Sequence, residues 1–468
     1  MRIGTTLRSW LSTRNLILGG VMLAAMVTVA ACVMAASRTT AADQTPVQSS
    51  PPFDSVINQN SNRMVAEGRH TFRFDTFGDE RFWTDTIHLD KAIEGSQHGG
   101  VGSGVSPKTA LTAAGLKVDV DALPDSLKQQ LKAGQVNLDD PAVTLALIKL
   151  NAVVGIQGTF NSDGSLKTLG VTCAICHSTV DNSFAAGIGH RLDGYPNRDL
   201  NPGLIISLAP DLTVIQNELG VDRPTVNKVL LSWGPGKFDA ELDKDGKAFR
   251  PDGGDAATLI PPAYGLAGVN LHTWTGFGSV PYWNAWVAVT ELHGSGTFYD
   301  PRIGGPADTT GQYPIAAKTG SWNSRPAPGQ PDDVTSKLAA LQYYQLSIPS
   351  PKAPAGSFDA AAAARGQQLF VGKAQCATCH VPPLFTEPGW AIHTPAEMKI
   401  DSFQADRSPT HGYRTAPLAG LWAHQKGGFY HDGRYATLKD VVNSYNDRFN
   451  LNLTDQEKSD LVQYLLSI

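Results

Sequence analysis

Cysteine and methionine are scarce in this chain of 468 residues, at five and six. So few cysteines exclude the disulfide-dense scaffold typical of small exported domains. Beyond residue 36 only Met64 and Met398 remain, so thioether ligation is open to at most two sites. Charge is also sparse, at 17% of residues, with a net charge of −5 and no long basic run. That balance argues against a nucleic-acid partner. Between Leu16 and Ala36 charge is missing altogether, behind Arg2, Arg8 and Arg14. A basic start followed by an apolar run is the pattern of a signal peptide, and the run is long enough to be a membrane anchor.

Residues 1–36 therefore read as a signal peptide or anchor, with "VAAC" (29–32) as a third option, since it resembles a lipoprotein attachment box. Each option delivers the remainder to the periplasm, free or tethered to the inner membrane. Residues 37–52, rich in Ser, Thr and Pro, read as a flexible tether. The length exceeds one ordinary core and predicts two domains.

Cys32 belongs to the apolar run. The other four cysteines form two copies of one pattern, Cys173-Ala-Ile-Cys176-His177 and Cys376-Ala-Thr-Cys379-His380. A redox disulfide would want a thioredoxin-like βαβ setting, and none is visible. A zinc site would want a second pair of ligands nearby, which is missing. Covalent haem attachment needs only what is present: two thiols one helical turn apart for the two vinyl groups, and an adjacent imidazole for the iron. Two covalently bound haem c groups are expected, with His177 and His380 as proximal ligands.

An internal repeat supports two cytochrome units. "LAGVNLHTWTGF" (266–277) parallels "LAGLWAHQKGGF" (418–429), and "LQYYQLSI" (341–348) parallels "LVQYLLSI" (461–468). Offsets fall from 203 at the haem motifs to 152 and then 120, so the first copy carries insertions equal to these differences. The expected fold is mainly α: an N-terminal extension and first haem domain over 53–348, a Pro-rich linker at 349–357, and a second cytochrome domain over 358–468. Locally, 139–154 predicts a helix with Pro141 near its start, and 155–171 a β-hairpin turning at Ser162–Gly164. Thr454 and Glu457 predict a capping box. "EGRHTFRFDTFGDERFW" (67–83) is ambiguous, its alternating Phe72 and Phe74 allowing a strand packed over the first haem.

The stretch "RTAPLAGLWAHQKGGFYHDGRYATLKDVVNSYN" (414–446) resembles the tail of bacterial di-haem cytochrome c peroxidases and their relatives. Those relatives include the di-haem enzyme of methylamine utilisation and the rubber oxygenases. Arg414–Pro417, His431-Asp432-Gly433 and "ATLKDVV" carry the likeness, which covers roughly 160–468. It implies haems facing one another across a domain interface, and peroxide reduction with electron transfer between them. Two alternatives are an oxygenase of the rubber oxygenase type and a non-enzymatic respiratory electron carrier. A small redox protein or membrane donor would supply electrons, with peroxide or oxygen as the small substrate.

The sixth ligands decide among these functions. The position where the peroxidases use Met is Tyr445 here, as in the methylamine-pathway enzyme. His431 is a second candidate, or a hydrogen-bond partner of the haem edge. For the first haem, "GIGH" nominates His190, and the repeat offset nominates His293. Trp283 is the candidate electron relay, with Trp233 behind it, and His272 and His424 read as hydrogen-bonding residues of a repeated turn.

Overall fold

The computed structural model describes residues 51–468; the expected targeting segment and all but the end of the tether lie outside the described residues. The chain divides into two compact units, 1–61 and 62–468. Both Cys-x-x-Cys-His motifs fall in the second, and the described part of the first is the start of the helix Pro51–Phe74. That helix takes in the last two residues of the expected tether. The architecture is mainly helical, with only two-stranded sheets among the described residues. No helix among them is long and apolar enough to cross a membrane.

The ambiguous stretch proves helical. Its first half closes the helix Pro51–Phe74, and after a turn at 77–79 its last residues enter a π-helix, Arg81–Thr86. Phe72 is fully buried and meets Tyr344 edge-on at 5.6 Å, so burial against a distant helix decides the conformation. A methyl group on Gly68 would stand 1.9 Å from the carbonyl oxygen of Ala340, which means the two helices cross in backbone contact.

The C-terminal region repeats this crossing. Gly366, in the helix Ala360–Val371, would bring a methyl group to 2.1 Å from the oxygen of Asp460, in the helix Asp455–Ser467. Phe370 is fully buried and meets Tyr464 at 5.2 Å. Gly68, Phe72 and Tyr344 therefore correspond to Gly366, Phe370 and Tyr464. The helix Pro51–Phe74 thus packs on Leu338–Ser347 as Ala360–Val371 packs on Asp455–Ser467. A further insertion, distinct from the two read from the offsets, lies between the helix Pro51–Phe74 and Cys173.

That insertion holds the helix Pro141–Lys149, capped by Asp140 with Pro141 in its first turn, and the hairpin Ile156–Phe160/Leu166–Val171. Val118–Asp119 of the insertion pairs with Ile188–Gly189 after the first motif. Residues 349–357 carry no helix. Thr454 and Glu457 form the expected capping box at the last helix.

Contacts between residues 239–264 and 407–431 are polar and buried. Arg407 is completely buried, bonding Asp245 at 2.7 and 3.0 Å and Asp239 at 2.8 Å. Tyr264 donates to the carbonyl of Gly420 at 2.8 Å and lies 2.7 Å from Nδ1 of His424. This partner of His424 is a distant side chain rather than the backbone of its own turn, whereas Nε2 of His272 lies 3.1 Å from the carbonyl of Val269 in its turn. The amide of Leu259 donates to the carbonyl of His431 at 2.7 Å.

Candidate haem sites

Cys173 caps the short helix Ala174–His177, and all four cysteines are free thiols. The loop is pinned by the amide of Asn197, which donates to the carbonyl of Cys176 at 2.8 Å. Nδ1 of His177 lies 3.2 Å from the carbonyl of Pro261. A carbonyl can only accept, so Nδ1 carries the proton and Nε2 keeps its lone pair. Burial pushes the basicity of this imidazole down to about 4, so it stays neutral. A neutral imidazole oriented through its second nitrogen is the form in which histidine binds a metal.

The second motif repeats the arrangement. Nδ1 of His380 lies 3.0 Å from the carbonyl of Phe385, and burial again lowers the basicity of the ring. Burial drives the thiols of Cys173 and Cys176 up to about 12, the opposite of the depressed thiol a disulfide oxidoreductase needs. Free thiols, adjacent oriented histidines and unpaired buried N–H groups nearby together fit covalent haem at both motifs.

One competing arrangement exists at the second motif. Cys379, Glu387 and His393 place one ligand atom each within 4.8 Å of one another. His393 is already held by Glu387 at 2.6 Å and by Glu397 at 2.9 Å. Among the described residues the first motif has no such cluster, so a metal clip would explain only one of two matching motifs.

Near the first motif stands a desolvated acid, Glu291, that the sequence alone does not single out. The helix Val280–Trp286 runs into a π-helix, Val287–Glu291. π-turns are rare and frequent at functional sites, because the extra residue re-aims the side chains that follow. Here the turn directs Glu291 toward Cys176, whose acidity it weakens electrostatically. Trp286 Nε1 donates to Oε1 of Glu291 at 2.8 Å, and Thr290 Oγ1 donates to the same oxygen at 3.1 Å. Burial raises the Glu291 carboxyl well above the usual range, despite the buried Lys244 nearby. Burial thus favours the protonated form of this carboxyl.

His293 follows in the left-handed region at φ 61°. Its ring stacks on Phe82 of the other π-helix, 3.6 Å between centroids, and enters no hydrogen bond among the described residues. The side chain is exposed, yet desolvation, aided by Lys244, pushes its basicity down to about 3.

His190, the other expected distal ligand, lies on the outer surface. Its side chain is 58% exposed, and Nδ1 pairs with Asp121 at 3.0 Å, which raises its basicity. The cause is the strand Val118–Asp119 of the insertion, which pairs beside Ile188–Gly189 and draws His190 to Asp121. Trp283 sits in an aromatic cluster, 4.6 Å from Phe277 and 5.4 Å from Trp286, with Nε1 buried and unpaired. Trp233 is buried against Phe238, its Nε1 also unpaired. Trp286, rather than either of these, is the tryptophan bonded to Glu291.

At the second motif, Tyr445 lines the Cys376 side. It bonds Tyr430, stacks on Phe449 at 5.7 Å and lies under Arg448, and burial holds its phenol well above the ordinary range. His431 stacks on Tyr413 at 5.1 Å, and its buried Nε2 has no partner. Met398 closes a short helix, and its carbonyl accepts from Arg448 at 3.0 Å.

Covalent loading is directly measurable. Haem-stained denaturing gels and intact mass should show two haems on the wild-type chain, and one on Cys376→Ala/Cys379→Ala. Bound zinc without haem stain would contradict the assignment.

No protein-family model matches the chain, and no curated protein matches it. Among solved structures, a xenon-pressurised hydrazine synthase of Kuenenia stuttgartiensis aligns at 19% identity over 47% of this chain and 76% of that one, with a TM-score of 0.26. A MauG-like protein associated with microbial copper homeostasis aligns at 17% identity over 48% of this chain and 81% of that one, with a TM-score of 0.29. Likeness at that level carries no functional argument, and the reading below rests on this chain's own residues.

Proposed function

We propose that the chain is an exported di-haem c-type cytochrome that reduces peroxide at its first site with electrons delivered through its second. The observation that carries this is the desolvated Glu291 that acts on Cys176, its carboxyl shifted toward the protonated form and held by Trp286 and Thr290, two residues before a neutral, unbonded His293. A pure electron carrier needs neither group. Attached haem would supply an iron that exchanges single electrons and binds a small oxidant.

The chain's own residues do the rest. The cysteines fix the groups, and the carbonyls of Pro261 and Phe385 hold His177 and His380 in the ligating tautomer. Peroxide gains two electrons and two protons and leaves as two waters. Glu291, held by Trp286 and Thr290, would give one of those protons and regain its own from solvent before the next turnover. His293, not His190, is the distal-side histidine in this reading. Tyr445 takes the corresponding place at the second site, with electrons coming from a small redox protein or a membrane donor in the periplasm.

The test is spectroscopic. Oxidised and half-reduced forms of His293→Ala and His190→Gly are compared for high-spin haem, with and without peroxide. Only His293→Ala should change the high-spin fraction, and only one haem should respond. Two low-spin haems unaffected by either change would favour the carrier. A stable oxygen adduct of the reduced protein would favour the oxygenase alternative.

A further inference from the structure

Arg198 is 6% exposed, and its Nε and Nη1 have no hydrogen-bond partner. Burial lowers its basicity to about 10, with only the phenol of Tyr264 opposing that trend; no carboxylate does. The neighbouring acid, Asp199, is engaged by Lys117 at 2.6 Å and by Lys426. Arg191 offers a contrast: it too has unbonded nitrogens, but Asp119 and Asp193 stand 3.9 and 3.7 Å away. A buried guanidinium with no anion carries an uncompensated desolvation cost. Arg198 is therefore missing an anionic partner.

Its location says which one. Asn197, the preceding residue, holds the carbonyl of Cys176. Gly194, four residues earlier, donates to the carbonyl of His177 at 2.8 Å. The far side of the guanidinium faces the second copy, where a methyl group on Gly427 would lie 3.6 Å from Nη1. Haem brings two carboxylates of its own, and a planar guanidinium grips a carboxylate through two parallel N–H bonds.

We propose that Arg198 is a positioning residue that binds a propionate carboxylate of the first haem at the seam between the two copies. The assignment rests on haem being attached at Cys173 and Cys176. It adds that the first site's potential is set in part by a cation wedged against the 424–428 turn of the second copy. Removing that cation leaves the haem carboxylate uncompensated, which favours the oxidised iron and lowers the potential of this haem.

Arg198→Gln and Arg198→Lys separate charge from shape, with haem counted on the same samples by pyridine haemochrome. Spectroelectrochemistry gives both midpoint potentials, and resonance Raman reads the propionate bending mode. In Arg198→Gln one potential should fall, the other should stay, and the bending mode should shift. In Arg198→Lys the mode should shift while the potential moves less, because the charge survives without the bidentate fork. Unchanged potentials and an unchanged mode would overturn the role of Arg198. If Arg198→Gln fails to load haem, the Raman mode of Arg198→Lys decides, and an unshifted mode overturns the proposal. A wild-type chain without haem would instead remove the reading on which it rests.

Discussion

Glu291→Gln is expected to cut peroxide turnover by about 10²- to 10⁴-fold, the usual share of a positioned general acid–base group, while leaving both haem absorption spectra in place. The substitution is close to isosteric. The amide oxygen can still accept from Trp286 and Thr290, so the π-turn and the placement of His293 should survive. What is lost is the exchangeable proton. The carboxyl is raised well above its ordinary value, chiefly by burial. It therefore keeps its proton to higher pH than an ordinary carboxyl and loses the ability to donate as pH rises through its elevated pKa. The wild-type rate should show an alkaline limb that the glutamine variant lacks. Steady-state peroxide consumption across pH, with haem content normalised, is the measurement. Undiminished turnover would remove Glu291 from the chemistry and leave it as packing.

Arg407→Met is expected to cost about 3–5 kcal/mol of unfolding free energy, the range for breaking a buried ion pair from one side. Arg407, Asp239 and Asp245 all have side chains with zero exposure. Without the guanidinium two carboxylates face each other in a dry seam. The loss should depend on pH. Burial raises Asp239 to about 6 and Glu241 to about 7, and Arg407 is the main influence pulling both back. In the folded state these groups keep protons that the unfolded chain releases near its ordinary carboxylate pKa of about 4. Their contribution to stability therefore falls as pH climbs from there through the folded values. Removing Arg407 raises them further, so the variant should lose more at about pH 8 than at about pH 5.5. Urea midpoints of the holoprotein at both pH values check this. An equal, small loss at both would mean the seam relaxes to admit water.

The paired motifs were plain in the sequence because covalent haem attachment is a local chemistry: five residues contain it. The capping box at Thr454 and the hairpin at 156–171 were legible for the same reason. The helix Pro51–Phe74 was not. Its decisive contacts, Gly68 on Ala340 and Phe72 on Tyr344, lie far away in the chain, and its alternating phenylalanines imitate a strand. "DAELDKDG" (239–246) looks like a solvated acidic loop, yet Asp239, Asp245 and Lys244 are buried because Arg407 and Asp243 meet them. His190 was nominated by likeness to a short loop, and a strand from an insertion carried it to the surface. Glu291 was invisible because only the π-turn aims it.

The two proximal histidines differ in how far along the chain their partners lie. His380 is held by a carbonyl five residues on, and His177 by one 84 residues on. A chain made from its N-terminus at about 5–20 residues per second reaches Phe385 within about a second of His380, but needs roughly 4–17 s to reach Pro261 after His177. The motif synthesised first is thus the one whose ligand waits for its orientation. During that wait the thiols of Cys173 and Cys176 stand near an imidazole free to turn either nitrogen outward. If haem is attached at both motifs as proposed, loading during synthesis would meet a loose site first and a nearly finished one later.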